Sequence, residues 1–114
     1  MPAQTVDTHQ PDLRLDLLLY KEDETWVAHC LQLDVVGTGD TPDEASNVAI
    51  DCVEASIAYA FEIDDLGHLF KLAPRGVIDK FLHHAGLIGE PIVKKIEIAH
   101  NEYVLISFRL SLAS

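Results

Sequence analysis

The sequence predicts an α+β fold, in which an antiparallel sheet carries its helices on one face. We expect a β-β-β-α core, then a second helix, then a C-terminal β-hairpin. Two observations predict this class. Segments 13–20 and 103–112 alternate apolar and polar residues as strands do, and segment 41–62 has the start signal and the periodicity of a helix. The 114 residues suffice for one domain, which we place at 13–114 after a flexible leader at 1–12.

The first three strands follow one another closely along the chain. Leucines at every second position of 13–20 predict a half-buried strand, and the polar run 21–25 is typical of a hairpin loop. Segment 26–30 is rich in strand-forming residues and predicts the returning antiparallel strand. A third short strand is expected around 35–38. Neighbouring strands joined by short loops favour an antiparallel sheet.

A capped helix follows a turn that we assign to Gly37 and Gly39. Residues 41–44 read Thr-Pro-Asp-Glu, a capping box in which Thr41 accepts from the amide of Glu44 and the Glu44 carboxylate accepts from the amide of Thr41. Small and apolar residues then recur at helical spacing and predict a helix over 42–62 that packs on the sheet. Its expected buried stripe is Ala45, Ala49, Cys52, Val53, Ser56, Ile57 and Ala60.

The second half of the chain begins with a connector over 63–73. A second helix is expected to open near Pro74 and to stop at Gly86. Two alternating segments, 92–98 and 103–112, predict the closing hairpin. The stripe that the second helix should bury is Val77, Ile78, Phe81, Leu82 and Ala85.

Charge is unevenly distributed between the two halves of the chain. The net charge is −11, and residues 1–65 hold fifteen acidic against two basic residues, a net −13, whereas 66–114 hold four acidic against six basic residues, a net +2. This balance argues against an isolated DNA-binding domain, which must neutralise phosphates, and favours a basic partner for the first half. The alternative is that the acids only keep a small protein soluble. No apolar run is long enough to span a membrane and no export signal is present, so we expect a cytoplasmic protein.

The residues give no sign of a catalytic site, a metal site or a cofactor. The six histidines lack the spacing of metal ligands, and His83 and His84 point about 100° apart around a helix. Cys30 and Cys52 are expected to be reduced thiols that act as small buried apolar side chains. We therefore predict a protein that is not an enzyme.

The segment from Leu18 to Glu62 resembles the HicB-like antitoxin family. The resemblance rests on Trp26-Val-Ala-His-Cys30 and on Gly39-Asp-Thr-Pro-Asp-Glu-Ala45, which is similar to the sequence that opens the family's helix. It implies a β-β-β-α core like a partial ribonuclease H fold over 13–65, with 66–114 as a helix and hairpin extension. Family members of the antitoxin type neutralise a small basic HicA-like ribonuclease toxin by binding it. Many also carry a C-terminal DNA-binding module, but here that region reads as a helix and two strands, so we do not expect sequence-specific DNA binding.

We therefore expect a non-catalytic protein-binding domain that meets a basic protein partner through an acidic surface. Trp26 is either an aromatic anchor for that partner, if it is exposed, or a core residue. A homo-oligomer is also expected, because strand 103–112 would pair with a second copy if it lay at a sheet edge. The residues expected to bind the partner are Glu22, Asp23, Glu24, Trp26, His29 and Asp34.

Two other functions stay open. A small metal-dependent hydrolase on a ribonuclease-H-like sheet would need Asp16, Asp40 and Asp51 to converge on one point. A weak nucleic-acid binder would use five basic side chains of the second half, namely Lys71, Arg75, Lys80, His83 and His84.

Overall fold

Six strands form one mixed sheet in the computed structural model, which describes residues 11–113. The strand order is β3-β2-β1-β6, and both β4 and β5 pair with the outer side of β6. In chain order the elements are β1 (Leu13–Glu22), β2 (Thr25–Cys30), β3 (Val35–Gly39), α1 (Pro42–Glu62), a 3-10 turn (Leu66–His68), α2 (Arg75–His84), β4 (Ala85–Leu87), β5 (Ile92–Ala99) and β6 (Glu102–Ala113).

The α+β class, the β-β-β-α core and the closing β5–β6 hairpin are confirmed, and α1 has the expected bounds. The first hairpin is tighter than expected. β1 and β2 pair as far as Glu22 and Thr25, so only Asp23 and Glu24 form the turn. Asp23 adopts a left-handed backbone with φ of 57°, which short polar residues tolerate in tight turns.

One strand pair departs from the antiparallel expectation. β1 runs parallel to β6, with Leu13 opposite Ile106 and Leu19 opposite Leu112, because the long connection through α1 and α2 returns the chain in the same direction. β6 therefore lies inside the sheet, between β1 and the β4–β5 pair. The prediction that segment 103–112 forms a dimer at a sheet edge is wrong, since both of its sides are already paired.

The longer of the two outer strands on that side is β5, and its sequence discourages pairing with another chain. Adjacent lysines, Lys94 and Lys95, lie in its middle, and the register with β6 shifts between Glu97 and Ala99. Lysines and irregularities of this kind protect edge strands from other chains. The homo-oligomer stays a prediction that these two features do not favour.

α1 packs on the sheet face formed by Leu15, Leu17 and Leu19, together with Cys30 and Phe108, all of which are buried. These residues and the buried side of α1 form the larger of two core clusters. The helix also contributes Ala45, Ser46, Ala49, Ile50, Val53, Ile57 and Ala60 to the interior.

Gly37 and Gly39 have a different role from the turn that we predicted. Both lie in β3, directly under α1. A Cβ on Gly37 would lie 2.3 Å from the backbone nitrogen of Ala49, and one on Gly39 would lie 2.6 Å from the Cβ of Glu44. The two glycines therefore allow the helix to approach the strand more closely than any side chain would permit.

α2 packs against side chains of β1 that point away from α1. Leu18 and Tyr20 alternate along β1 with the residues under α1, and they form a second cluster against which Val77, Ile78 and Phe81 pack. None of the residues of α2 is fully buried, and Leu82, which we expected in the stripe, is 64% exposed.

The end of α2 also differs from the prediction. The helix ends at His84, and Ala85, which we expected in its buried stripe, is already extended and opens β4, so Gly86 is not the stop. β4 was not expected.

The start of the domain lies slightly earlier than the leader prediction placed it. Residues 1–10 of that leader lie outside the described residues. Asp12 is bonded to β6, because its amide donates to the carbonyl of Leu105 over 2.8 Å and its carboxylate accepts from the amide of Leu105. Among residues 11–113, no helix is long and apolar enough to cross a membrane.

Candidate functional site

Six exposed acids gather at one end of the molecule, which we call the acidic end. The register of β2 and β3 places Trp26 opposite Gly39, so the β1–β2 turn lies beside the residues that lead into α1. The acidic end consists of Glu22 at the end of β1, Asp23 and Glu24 in the turn, Asp40 just before α1, and Asp43 and Glu44 in the first turn of α1. Glu22, Asp23 and Glu24 were expected to bind a partner, and the strand register brings them close to the segment that opens α1.

Local hydrogen bonds hold this start of α1. The Oγ1 of Thr41 accepts from the amide of Glu44 over 3.1 Å, as a capping residue does. The Glu44 carboxylate accepts from the amide of Asp40 over 2.8 Å, one residue earlier than the predicted amide of Thr41. Asp43 and Glu44 also lie in the first turn, where the positive end of the helix dipole favours negative charge.

Trp26 lies next to the acidic end but is not freely exposed. Its side chain is half-buried and packs against the larger core cluster. The Nζ of Lys21 lies 5.8 Å from the centroid of the indole ring, in cation–π range. The indole is therefore chiefly a packing residue, and only part of it is exposed.

His29 and Asp34 form an internal network and are not part of the acidic end. His29 is 5% exposed, and its Nε2 lies 2.6 Å from the Oδ1 of Asp34 while its Nδ1 lies 3.3 Å from the hydroxyl of Tyr20. The Nζ of Lys71 is 3.8 Å from the other oxygen of Asp34. Asp34 follows the far end of β2, about 20 Å from the β1–β2 turn. The structure thus separates His29 and Asp34 from the other predicted site residues.

Burial changes two of the ionisable groups in the strands. It raises the pKa of the Tyr20 phenol, and the carboxylates of Glu22 and Asp34 raise it further. It also raises the pKa of the Cys30 thiol to about 11. Cys52 differs, because its side chain is exposed on α1, contrary to the prediction that both cysteines are buried.

The three carboxylates of the hydrolase hypothesis do not meet. Asp16 lies on the sheet face opposite α1, where its Oδ1 accepts from the Nε of Arg109 over 2.8 Å and its Oδ2 accepts from the Nε2 of Gln32 over 2.9 Å. Asp40 belongs to the acidic end, and Asp51 lies exposed on α1. Within residues 11–113 no three His, Cys, Asp or Glu side chains are grouped to hold a metal ion.

The five basic residues of the nucleic-acid hypothesis lie along α2 and the segment before it. Two of them contact groups of this chain, since Lys71 pairs with Asp34 and the Nζ of Lys80 lies 4.2 Å from the centroid of the Tyr20 ring. Arg75, His83 and His84 lie exposed on α2. The nucleic-acid hypothesis stays a prediction.

One exposed feature was missed by the sequence analysis. Val48, Cys52, Ala55 and Tyr59 form an apolar row on the outside of α1, which we call the α1 seam. Val48 is 44% exposed and Tyr59 is 61% exposed. Their spacing of four, three and four residues was visible in the sequence, but Cys52 had been assigned to the buried stripe. A helix with two apolar rows, only one of which can face the sheet, was the available signal.

Comparisons of the chain with protein-family models, with curated proteins and with solved structures find no match.

Proposed function

We propose that this chain is a non-catalytic protein-binding domain that docks a basic protein partner at its acidic end. The observation that carries the proposal is the gathering of six exposed acids from two separate segments at one end of the molecule. The ion pairs seen among residues 11–113 involve other acids, namely Asp16, Asp34 and Asp65. The charge of the acidic end is therefore available for an external partner.

The spacing of these charges matters for what they can do. In physiological salt, exposed charges separated by more than about 8 Å are largely screened, so scattered acids do not attract a partner together. The acids of the β1–β2 turn are neighbours in the chain, as are those at the start of α1, so within each group the charges act together at short range. Such a patch speeds association with a basic protein and selects against acidic ones more than it raises affinity.

The resemblance to HicB-like antitoxins supports a class of partner, a small basic ribonuclease of the HicA-like type. Residues 13–62 have the β-β-β-α arrangement that the resemblance implies, and the acidic end includes Asp40, Asp43 and Glu44 from the segment that carries the resemblance. An acidic domain placed over the RNA-binding surface of such an enzyme would block it. Specific DNA binding is not proposed. A ribbon-helix-helix module is a strand followed by two helices, whereas residues 66–113 form α2 and then strands.

The test is a charge reversal at the β1–β2 turn. The variant carries Glu22→Lys, Asp23→Asn and Glu24→Lys, with Asn at 23 because the backbone there is left-handed. Its association rate with a HicA-like ribonuclease is measured by stopped flow across a salt series. We expect at least tenfold slower association at low salt and a weaker dependence on salt.

A matched control changes the net charge equally but away from the acidic end. It carries Asp79→Lys, Glu90→Gln and Glu102→Lys, three exposed positions in the second half of the chain. This control should associate within about twofold of the wild-type rate. Equal rates for the wild type and the turn variant at every salt concentration would contradict the proposal, as would equal slowing by the control.

A further inference from the structure

The α1 seam is an apolar surface without a partner in residues 11–113. It runs along the outside of α1, away from the side that packs on the sheet, for about 16 Å from Val48 to Tyr59. Exposed single apolar residues are ordinary, but a row with a spacing of four, three and four matches the contact line between two packed helices. The seam therefore has the geometry of a surface that receives a helix.

Charge along the same helix restricts what can pack there. α1 carries five acidic residues and no lysine, arginine or histidine. At about 100° per residue, Glu44, Asp51 and Glu62 project along one flank of the seam. The last turn also holds no basic residue to offset the negative end of the helix dipole. A second copy of α1 would bring acid against acid, whereas a basic helix would be attracted along its whole length.

The other flank of the seam opens onto a cavity. This cavity has a volume of about 310 Å³ and is lined by Tyr59 and Ile63 at the end of α1, and by Leu33 and Leu69 from the neighbouring loops. Its lining is mostly apolar, and its size suits one large apolar side chain. The cavity thus provides an anchor point beside the C-terminal end of the seam.

We propose that the α1 seam binds an amphipathic basic helix, whose apolar row packs on Val48, Cys52 and Tyr59 and whose lysines or arginines face Glu44, Asp51 and Glu62. This inference rests on the proposed function, because it assigns a second contact to the same basic partner. The acidic end attracts the partner, and the seam and its cavity hold one helix of it.

The test uses a synthetic 21-residue peptide of leucine, lysine and alanine, with leucines spaced four, three and four residues apart. A scrambled peptide of identical composition has the same charge but no apolar row. Binding of each to the full chain is measured by calorimetry and by amide shifts in two-dimensional NMR. We expect the patterned peptide to bind at least tenfold more tightly, with the largest shifts at residues 48, 52 and 59.

Two double variants separate apolar packing from charge. Val48→Glu with Tyr59→Glu breaks the seam, and Asn47→Glu with Ala58→Glu adds the same charge one residue away along the same helix. All four positions are exposed, so folding should be retained. The seam variant should lose at least tenfold in affinity for the patterned peptide although it is more acidic. The control should bind at least as tightly as the wild type.

Cys52 gives a second measurement within the seam itself. It is the exposed thiol, whereas Cys30 is fully buried, so a maleimide should modify Cys52 selectively in the folded chain. The patterned peptide should slow this modification several-fold, and the scrambled peptide should leave its rate nearly unchanged.

The outcomes separate this inference from the proposed function. Equal binding of both peptides, weakened by salt, would overturn the seam inference and leave the acidic end as the docking surface. Equal affinity of the two double variants for the patterned peptide would also overturn it. Failure of both peptides to bind at low salt, together with no effect of the β1–β2 turn variant on association, would overturn both.

Discussion

The two helices of this domain differ in almost every physical respect. α1 has 21 residues, seven of them buried, a capped start and only acidic charges. α2 has ten residues, none of them buried, and Pro74 before it provides no side-chain cap. Its charges are mostly basic, with Arg75 and Lys80 against Asp79 and with histidines in its last turn.

This contrast separates the part of the molecule that defines the fold from the part that only covers it. α1 is held against β3 by close backbone contact, which makes it a rigid support for the acidic end and for the α1 seam. α2 covers Leu18 and Tyr20 with half-buried side chains, and elements with so little buried surface open more easily. A docking surface on α1 is already ordered, so it loses little conformational entropy when a partner binds.

The largest effect is expected from a single methyl group between α1 and β3. Gly37→Ala places a Cβ 2.3 Å from a backbone nitrogen of α1, so the helix must move away from the strand. We expect a loss of about 3 kcal/mol in the free energy of unfolding. Gly76→Ala in α2 is the matched control, since a Cβ there meets nothing within 4 Å. It should stabilise the chain by a few tenths to about 1 kcal/mol. Guanidinium unfolding measures both, and equal effects would show that the two helices are held alike.

The stability of the fold should depend on pH through Cys30, which lies on the sheet face that α1 covers. The folded chain holds the pKa of Cys30 at about 11, above the ordinary value of 9.0, so the folded state keeps a proton that the unfolded state loses first. The resulting stability is present below pH 9 and is lost as the pH rises from 9 to 11, by up to about 2–3 kcal/mol. Unfolding curves of the wild type and of Cys30→Ala across this range isolate the contribution. A constant difference between the two would refute it.

A smaller effect is expected at the start of α1. Thr41→Ala removes the hydroxyl that accepts from the amide of Glu44 and should cost about 1 kcal/mol. Thr41→Ser keeps a hydroxyl and should cost only a few tenths of that amount. Thermal unfolding compares the two, and indistinguishable melting temperatures for both variants would mean that this cap contributes nothing.

The smallest effect is expected on the outside of α2. Leu82 is 64% exposed, so Leu82→Ala should change the free energy of unfolding by less than about 0.5 kcal/mol. Urea unfolding provides the measurement. A loss above about 1.5 kcal/mol would show that α2 buries this side chain in solution and that the contrast between the helices is overstated.

Much of the fold could be predicted because it depends on local patterns. Alternation predicted β1 and β6, strand-forming residues predicted β2, and the capping box at Thr41 located the start of α1. Alternation shows which side chains share a face but not which strand lies alongside, so the parallel pairing of β1 with β6 was not visible. The role of Gly37 was equally hidden, because a glycine needed for close approach looks the same in sequence as one needed for a turn.

The candidate site was predictable only where exposure follows from sequence. Glu22, Asp23 and Glu24 are charged residues in a tight turn, and such residues are almost always exposed. The contact between His29 and Asp34 was not visible in the sequence, because it depends on a turn in which Asp34 adopts a left-handed backbone with φ of 55°. That geometry returns the carboxylate to the imidazole five residues earlier, and residue types alone do not reveal it.

The central claim is that the acidic end, and not the basic surface of α2, receives the partner. It is tested most directly by two-dimensional NMR of the labelled chain with an unlabelled HicA-like ribonuclease. We expect amide shifts to change at residues 22–24 and 40–44 and along the outside of α1, while residues 75–84 stay within the spectral error. Shifts confined to residues 75–84, with the acidic end unchanged, would contradict it.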